Sequence, residues 1–226
     1  ILIRDFGELE KLQVSVKGPS DFVTNSDKKT EKIIIEELSK SRKFYSIISE
    51  ETGEIKNSDK DNIWIIDPID GTTNFMHGIP HFAISIALKS KDEIIAGLIF
   101  DPIKNEIFYA EKNNGAYFNN HRIRVSKKRN IKECLFATGG KEEIDNKLNT
   151  RKSGSAALDL AYVGAGRYDG YFQKKLNIWD IAAGVIIVSE AGGRTNDIDY
   201  SNYKNINVLA SSTSMYENML KNLNNF

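Results

Sequence analysis

Asp67 and Asp70 stand three residues apart in the run IWIIDPIDGTTNF, residues 63–75, beside Pro68, Gly71 and Thr72. Paired carboxylates suit a hard cation. Pro68 fixes its own φ and carries no N–H, and Gly71 permits backbone conformations that other residues resist. A helix starting near Gly71 would present free N–H groups to an anion. One short segment therefore combines acidic oxygens for a cation with donors for a phosphate, the parts that metal-assisted phosphoryl chemistry needs. The same residues also build ordinary turns, and an Asp can simply cap a helix. The stretch alone leaves both readings open.

Three more acids bear on the choice. Asp180 follows Asn177 at the start of a helical pattern, IAAGVIIVSEAGG, that is apolar nearly all round. Its position in the first turn is favoured by the helix dipole, but a buried carboxylate needs N–H donors or a cation. Asp27 and Thr24 resemble a capping box with Asp in place of Glu. Glu50 opens Glu50-Glu51-Thr52-Gly53, which reads as a solvated loop. His77, His81 and His121 show no metal-ligand spacing and read as packing or surface residues.

The elements that must position these groups are legible in outline. Ile1–Leu9 reads as the tail of a helix and Leu12–Val16 as a short extended segment. Thr24–Lys40 has an amphipathic helical pattern. Tyr45–Ser49 and Ile63–Ile66 have strand composition, the second ending abruptly at the Asp67 turn. HFAISIALK, EIIAGLIFDP and NEIFYAEKNNGAYFNN then alternate or run apolar between Lys-Asp, Asp-Pro and Asn-Asn-Gly turns, predicting an antiparallel meander. Ile123–Ser126, Leu135–Thr138, Tyr168–Gln173 and Ile206–Ala210 are further predicted strands. Ser155–Arg167 is predicted helical with Ser155 as cap, and Thr213–Leu223 as a closing helix. Asn177 fits an N-cap and Gly192 a helix stop. Lys141–Lys152 has no legible pattern.

The 226 residues suit one large domain, here 1–226, or two small ones, and no repeat or linker divides them. The 31 Lys and Arg balance the 31 Asp and Glu, so no global field favours nucleic acid or membrane. Cys134 is the single cysteine, which excludes an internal disulfide and fits a reducing cytoplasm. No apolar run is long enough to span a bilayer. The chain opens on Ile within a helical pattern, so its N-terminus is expected to be incomplete.

Taken together, DPIDGTTNF and WDIAAGVIIVSEAGG, with KGPSDFVTNSD, ISEETG, HGIPHFAISIAL and SGSAALDLAYVGAGRYDGYF in the same order, resemble the inositol monophosphatase family in its SuhB-like bacterial branch. The resemblance covers nearly the whole chain. It implies an α+β fold, the layered αβαβα sandwich of the inositol monophosphatase and fructose-1,6-bisphosphatase type. It implies two or three Mg²⁺ per active site, held by Glu50, Asp67, the Ile69 carbonyl, Asp70 and Asp180. Thr72, Glu50 and Asp27 are implied as catalytic, with Thr72 activating water and Asp27 as its hydrogen-bonding partner. Gly71 and Thr72 N–H groups would cradle phosphate, while Gly154, Ser155, Ala156, Gln173 and Asp180 face the substrate. Lys17 falls near a loop that closes over the metals. All-oxygen ligands without Cys or His suit Mg²⁺, and converging carboxylates repel unless cations are present or their pKa values rise.

The activity so implied is hydrolysis of a small phosphorylated polyol or sugar, inositol 1-phosphate first, with lithium inhibition and a homodimer. The alternatives are a 3'-phosphoadenosine nucleotidase, a fructose-1,6-bisphosphatase, a histidinol-phosphate phosphatase, or a SuhB-like antitermination factor partnered with the transcription machinery. Two departures stand out. Gln173 replaces the family's frequent Glu, and Lys174-Lys175 stands where many relatives have Gly. The Thr138–Gly154 connection is shorter than usual by on the order of 20 residues.

Overall fold

The computed structural model describes residues 1–12, 19–140 and 148–223, with side chains from 1–9 and from 25 onward in those ranges. Lys17, most of Leu12–Val16 and residues 141–147 lie outside the described residues. Tyr45–Ser49 forms β1 as its composition predicts, and β2 (Gly53–Ile55) returns antiparallel beside it. The apolar run at Ile63–Ile66 is the middle of a longer strand, β3 (Asp59–Asp70), parallel to β1. The meander follows as β4 (Ala83–Ser90), β5 (Glu93–Asp101), β6 (Glu106–Glu111), β7 (Gly115–Phe118) and the short β8 (His121–Arg122). Together they make one sheet, in the order β2-β1-β3-β4-β5-β6-β7-β8.

A second sheet takes β9 (Leu135–Ala137), β10 (Asn149–Arg151), β11 (Gly170–Leu176), β12 (Gly193–Thr195) and β13 (Ile206–Ser212), ordered β10-β9-β11-β13-β12. Helices separate and cover the sheets. α1 (Leu2–Leu12) and α2 (Pro19–Ser41) lie outside the first sheet, with α3 (Thr72–Met76) beside α2. α4 (Ala156–Gly164) and α5 (Ile178–Glu190) fill the middle layer. α6 (Thr213–Asn222) closes the outer face of the second sheet, packing Met215, Tyr216 and Met219 on Phe136, Phe172 and Leu209. This is the αβαβα layering of the expected α+β class.

The pattern of α5 follows from its place. Both flanks meet a sheet, so Ile181, Ala182, Ala183, Ile187 and Val188 are all buried. Contact with β5 is close: a Cβ at Gly97 would lie 2.7 Å from Ala183 Cα and 2.8 Å from its carbonyl oxygen. Asn177 caps the helix start, and Gly192 follows the end at φ +85°, the left-handed turn a helix stop needs.

Several boundaries differ from the sequence expectation. α2 begins at Pro19, a residue suited to the first helical position, so Thr24 and Asp27 stand inside the helix rather than at its start. Ile123–Ser126 is not a strand: Ile123 N donates to Ala116 O and Val125 N to the end of α5 at Ala191 O (3.2 Å). α4 stops at Gly164 rather than Arg167, and β11 runs from Gly170 rather than Tyr168.

Candidate active site

In a regular strand, residues three apart face opposite sides. At the end of β3, Asp67 pairs with Ser85 but Asp70 with Ala83, so three steps on β3 match two on β4. The extra residue falls at Pro68-Ile69, and Pro68 has no N–H to contribute to the ladder, which suits it to a bulge. The bulge turns both aspartates into one cleft. There, ligand oxygens of Asp67, Asp70 and Asp180 all lie within 4.8 Å of one another.

Each carboxylate is anchored by backbone. Asp67 Oδ1 accepts from Ile69 N at 2.9 Å. Asp180 Oδ2 accepts from Asn177 N at 2.7 Å, so it caps α5 and joins the acidic cluster at once. Asp70 reaches the start of α4, where Oδ2 accepts from Ser155 Oγ and from Ala157 N (2.9 Å), and Oδ1 from Ala156 N (3.3 Å). Ser155 and Ala156, expected at the substrate, thus hold Asp70. Glu50 follows β1, its N–H donating to Ile66 O at 3.2 Å. That places it beside Asp67.

Gly71, at φ +97°, makes the transition from β3 into α3. A Cβ there would sit 3.1 Å from His81 O and 3.3 Å from Gly154 O, so glycine lets three segments meet. Thr72 Oγ1 donates to Ile69 O at 3.0 Å. The hydroxyl proton thus goes to Ile69 O rather than to Asp27, which leaves the Thr72 lone pairs open. Asp27 is buried on α2 with Oδ1 unpartnered. Gln173 is half-buried on β11, its Oε1 accepting from Tyr171 OH at 2.7 Å. Within the Lys174-Lys175 pair that stands where many relatives are expected to have Gly, Lys175 has φ +60°, the left-handed region glycine favours.

The cleft carries uncompensated negative charge. Burial is the first cause throughout. It pushes Asp70 to about 6, although Ser155 and the α4 N–H groups pull downward. Asp180 rises to about 7 through burial and then Asp70. Asp67 rises well above the carboxylate range through burial, Asp70 and Glu50, and Glu50 also rises. Asp27 reaches about 8 through burial and the nearby Glu50, Glu51 and Glu31. Among the described residues, no His or Cys joins the cluster. Buried, all-oxygen and electron-rich, the set fits Mg²⁺.

Three residues beyond those expected hold this arrangement. Glu31, one helical turn from Asp27 on α2, accepts from Ser49 Oγ, Thr52 Oγ1 and Glu51 N (2.9 Å). The i,i+4 spacing from Asp27 was its available signal. Asn74 Nδ2 donates to His81 O (2.7 Å) and Ser153 O (2.8 Å), fastening the Gly154 loop to α3. Asp159, buried behind Asp70 and pushed to about 8 by burial, accepts from Ser153 Oγ at 2.6 Å. Neither of these last two carries a sequence signal.

Comparison with known proteins agrees with this geometry. The model of the inositol monophosphatase family matches residues 1–225. An inositol-1-monophosphatase of Rhizobium meliloti is 45% identical over 213 residues, 88% of this chain and 80% of its own. Nus factor SuhB of Escherichia coli is 40% identical over 240 residues, 99% of this chain and 90% of its own. The crystal structure of extragenic suppressor protein suhB from Bartonella henselae superposes with a TM-score of 0.87 at 43% identity, covering 97% of this chain and 91% of that one. The alignment to the inositol-1-monophosphatase of Caulobacter vibrioides runs over 242 residues against 226 here, so that relative carries extra residues inside the matched region.

Proposed function

The chain belongs to the inositol monophosphatase family, a family of metal-dependent phosphatases, and from that premise we propose that it hydrolyses inositol 1-phosphate with Mg²⁺ as its metal. The observation that carries the metal is the convergence of Asp67, Asp70 and Asp180 within 4.8 Å. Relatives named inositol-1-monophosphatase, at 45% and 43% identity, support the substrate. Glu50, Asp67, Asp70, Asp180 and the Ile69 carbonyl would hold the cation, with two or three ions per site as the family likeness implies. When bound, Mg²⁺ supplies charge compensation for the phosphoryl group and the leaving oxygen and acidifies water.

The chain's own groups supply orientation. With its proton given to Ile69 O, Thr72 Oγ1 is left as an acceptor, and a water held there directs its proton to Thr72. Glu50 accepts the second proton of that water, leaving an oxygen lone pair aimed at phosphorus. The N–H groups of Gly71 and Thr72 bind the phosphoryl oxygens. Gly154, Ser155, Ala156, Gln173 and Asp180 border the polyol, with Gln173 hydrogen-bonding its hydroxyls without adding charge. Lithium inhibition, a homodimer and a cytoplasmic setting complete this reading, from the family likeness.

Phosphate release from inositol 1-phosphate, 3'-phosphoadenosine 5'-phosphate, fructose 1,6-bisphosphate and histidinol phosphate tests it, with and without Mg²⁺ and lithium. Inositol 1-phosphate is expected to be preferred, and Asp70→Asn to lower kcat at least about 100-fold, since it removes an anionic ligand of the cation that would stabilise the transition state. Preference for another substrate would reassign the activity. The names of the SuhB relatives favour a second reading, a partner of the transcription machinery. It predicts that Asp70→Asn protein still restores growth to a deletion strain.

A further inference from the structure

A second charged site lies at the other end of α5. Residues 122–132 hold six cations, Arg122, Arg124, Lys127, Lys128, Arg129 and Lys132, without one carboxylate, in a chain whose net charge is zero. Lys128 turns inward to Asp169 at 3.0 Å. Arg124, Lys127 and Arg129 instead line a cavity of about 470 Å³, with no acidic residue in its wall. No ion pair engages these three among the described residues. They are exposed, but they share one concavity rather than a dispersed solvated face.

The rest of the wall also favours an anion. It is completed by the start of α6, a helix of 10 residues whose first turn has no side-chain cap, where the Thr213 and Ser214 hydroxyls already donate to Gly192 O and Lys128 O. Its N–H groups and dipole add positive potential to that of the three cations. The opposing carbonyls at the end of α5 are already bonded: Ala191 O accepts from Val125 N (3.2 Å) and Gly192 O from Thr213 Oγ1 (3.3 Å). No aromatic ring lines the cavity, so bases of a nucleic-acid strand would find no stacking platform. The concavity suits one compact, multiply charged group better than an extended polymer.

We propose that this cavity binds a phosphate group, either as inorganic phosphate or as the phosphoryl group of a small phosphorylated metabolite, held by Arg124, Lys127, Arg129 and the start of α6. Asp180 opens α5 and Ala191 follows its end, so the two sites stand roughly 16 Å apart along the helix. The second site is separate from the acidic cluster and opposite to it in charge.

Isothermal titration of the whole chain with inorganic phosphate, glucose 6-phosphate and a short single-stranded RNA tests the proposal. In EDTA the acidic cleft repels phosphate, so any heat reports the second site, and Asp70→Asn is expected to leave it unchanged. Saturable binding at one equivalent is expected for one or both small ligands, and the tighter of the two identifies the source. Arg124→Gln/Lys127→Gln/Arg129→Gln is expected to weaken it at least about tenfold, as befits lost charge-assisted hydrogen bonds. Ser214→Asp, a favourable residue in a helix first turn, should do the same while keeping α6 folded. No saturable binding, binding that survives both variants, binding lost in Asp70→Asn, or binding of the RNA alone would each overturn the assignment.

Discussion

Glu31 shows how a residue that touches no reacting group can set the acidity and position of one that does. Its carboxylate takes three donors from Ser49, Glu51 and Thr52, so the turn carrying Glu50 is fixed to α2 rather than free at the surface. Gln in its place keeps the shape but exchanges an acceptor oxygen for an NH₂, which faces donors instead of receiving them. Glu31→Gln is therefore expected to weaken Mg²⁺ binding about 10-fold or more, the range seen when a residue behind a ligand is changed. Thermal shift against Mg²⁺ concentration measures this apart from turnover; an unchanged curve would leave Glu31 a purely structural contact. Asp67 and Asp70 at a strand end and Asp180 at the start of an apolar helix were legible as candidates, and the full set of acids only through the family resemblance. Glu31 was not, because the i,i+4 spacing from Asp27 was its one signal, and within TEKIIIEELSK it looks like any solvated helical Glu. The Ile69 acceptor for the Thr72 proton was hidden for a related reason. A hydroxyl proton goes to the nearest good acceptor, and only the bulge brings Ile69 O within 3.0 Å.

Among the elements, those whose pattern answers to a local rule were readable. β1, the meander and α5 follow from composition, turn residues and capping. The start of α2 did not, since Thr24, Asn25, Ser26 and Asp27 are weak helix formers that favour caps. Tertiary contact overrides that preference: Ser26 Oγ donates to Asp5 Oδ2 at 2.8 Å and Asp27 is buried. Ile123–Ser126 was misread because its apolar spacing matches a strand, while its donors go elsewhere. The bulge in β3 was invisible as well, since it depends on the partner strand. Close packing of β5 on α5 gives a test at this scale. A methyl at Gly97 would press on the Ala183 backbone, which cannot rotate away. Gly97→Ala is expected to destabilise the fold by about 2 kcal/mol, in the range for overpacked cores. Urea unfolding measures it, and a loss within about 0.5 kcal/mol, the usual surface scatter, would show that α5 has room to shift.

For the whole molecule, the layered fold brings acids from α2, β1, β3 and α5 to one place at a cost in charge. Asp70 near 6, Asp180 near 7 and Asp27 and Asp159 near 8 all lie above the usual carboxylate range. A carboxyl whose pKa is raised in the folded state binds more protons there than when unfolded. Its contribution to stability is present at low pH and is lost as pH climbs through the folded value. In EDTA, stability should therefore fall from about pH 4, where the unfolded carboxyls ionise, to about pH 8, the highest of those folded values. His81, lowered by burial, opposes this fall only below its ordinary range near 6.5, where the unfolded ring binds the proton more tightly. Mg²⁺ binds the deprotonated ligands, so its stabilisation should grow over the same interval and offset the loss. Urea midpoints at pH 6, 7 and 8, each in EDTA and in Mg²⁺, separate the two effects. A midpoint in EDTA that holds or rises with pH would mean that the four acids ionise without strain, and the cleft would then have no electrostatic need of a cation. A falling midpoint restored by Mg²⁺ would tie the fold's least stable feature to its chemistry: the repulsion stored by burying these carboxylates is what gives the site its affinity for metal.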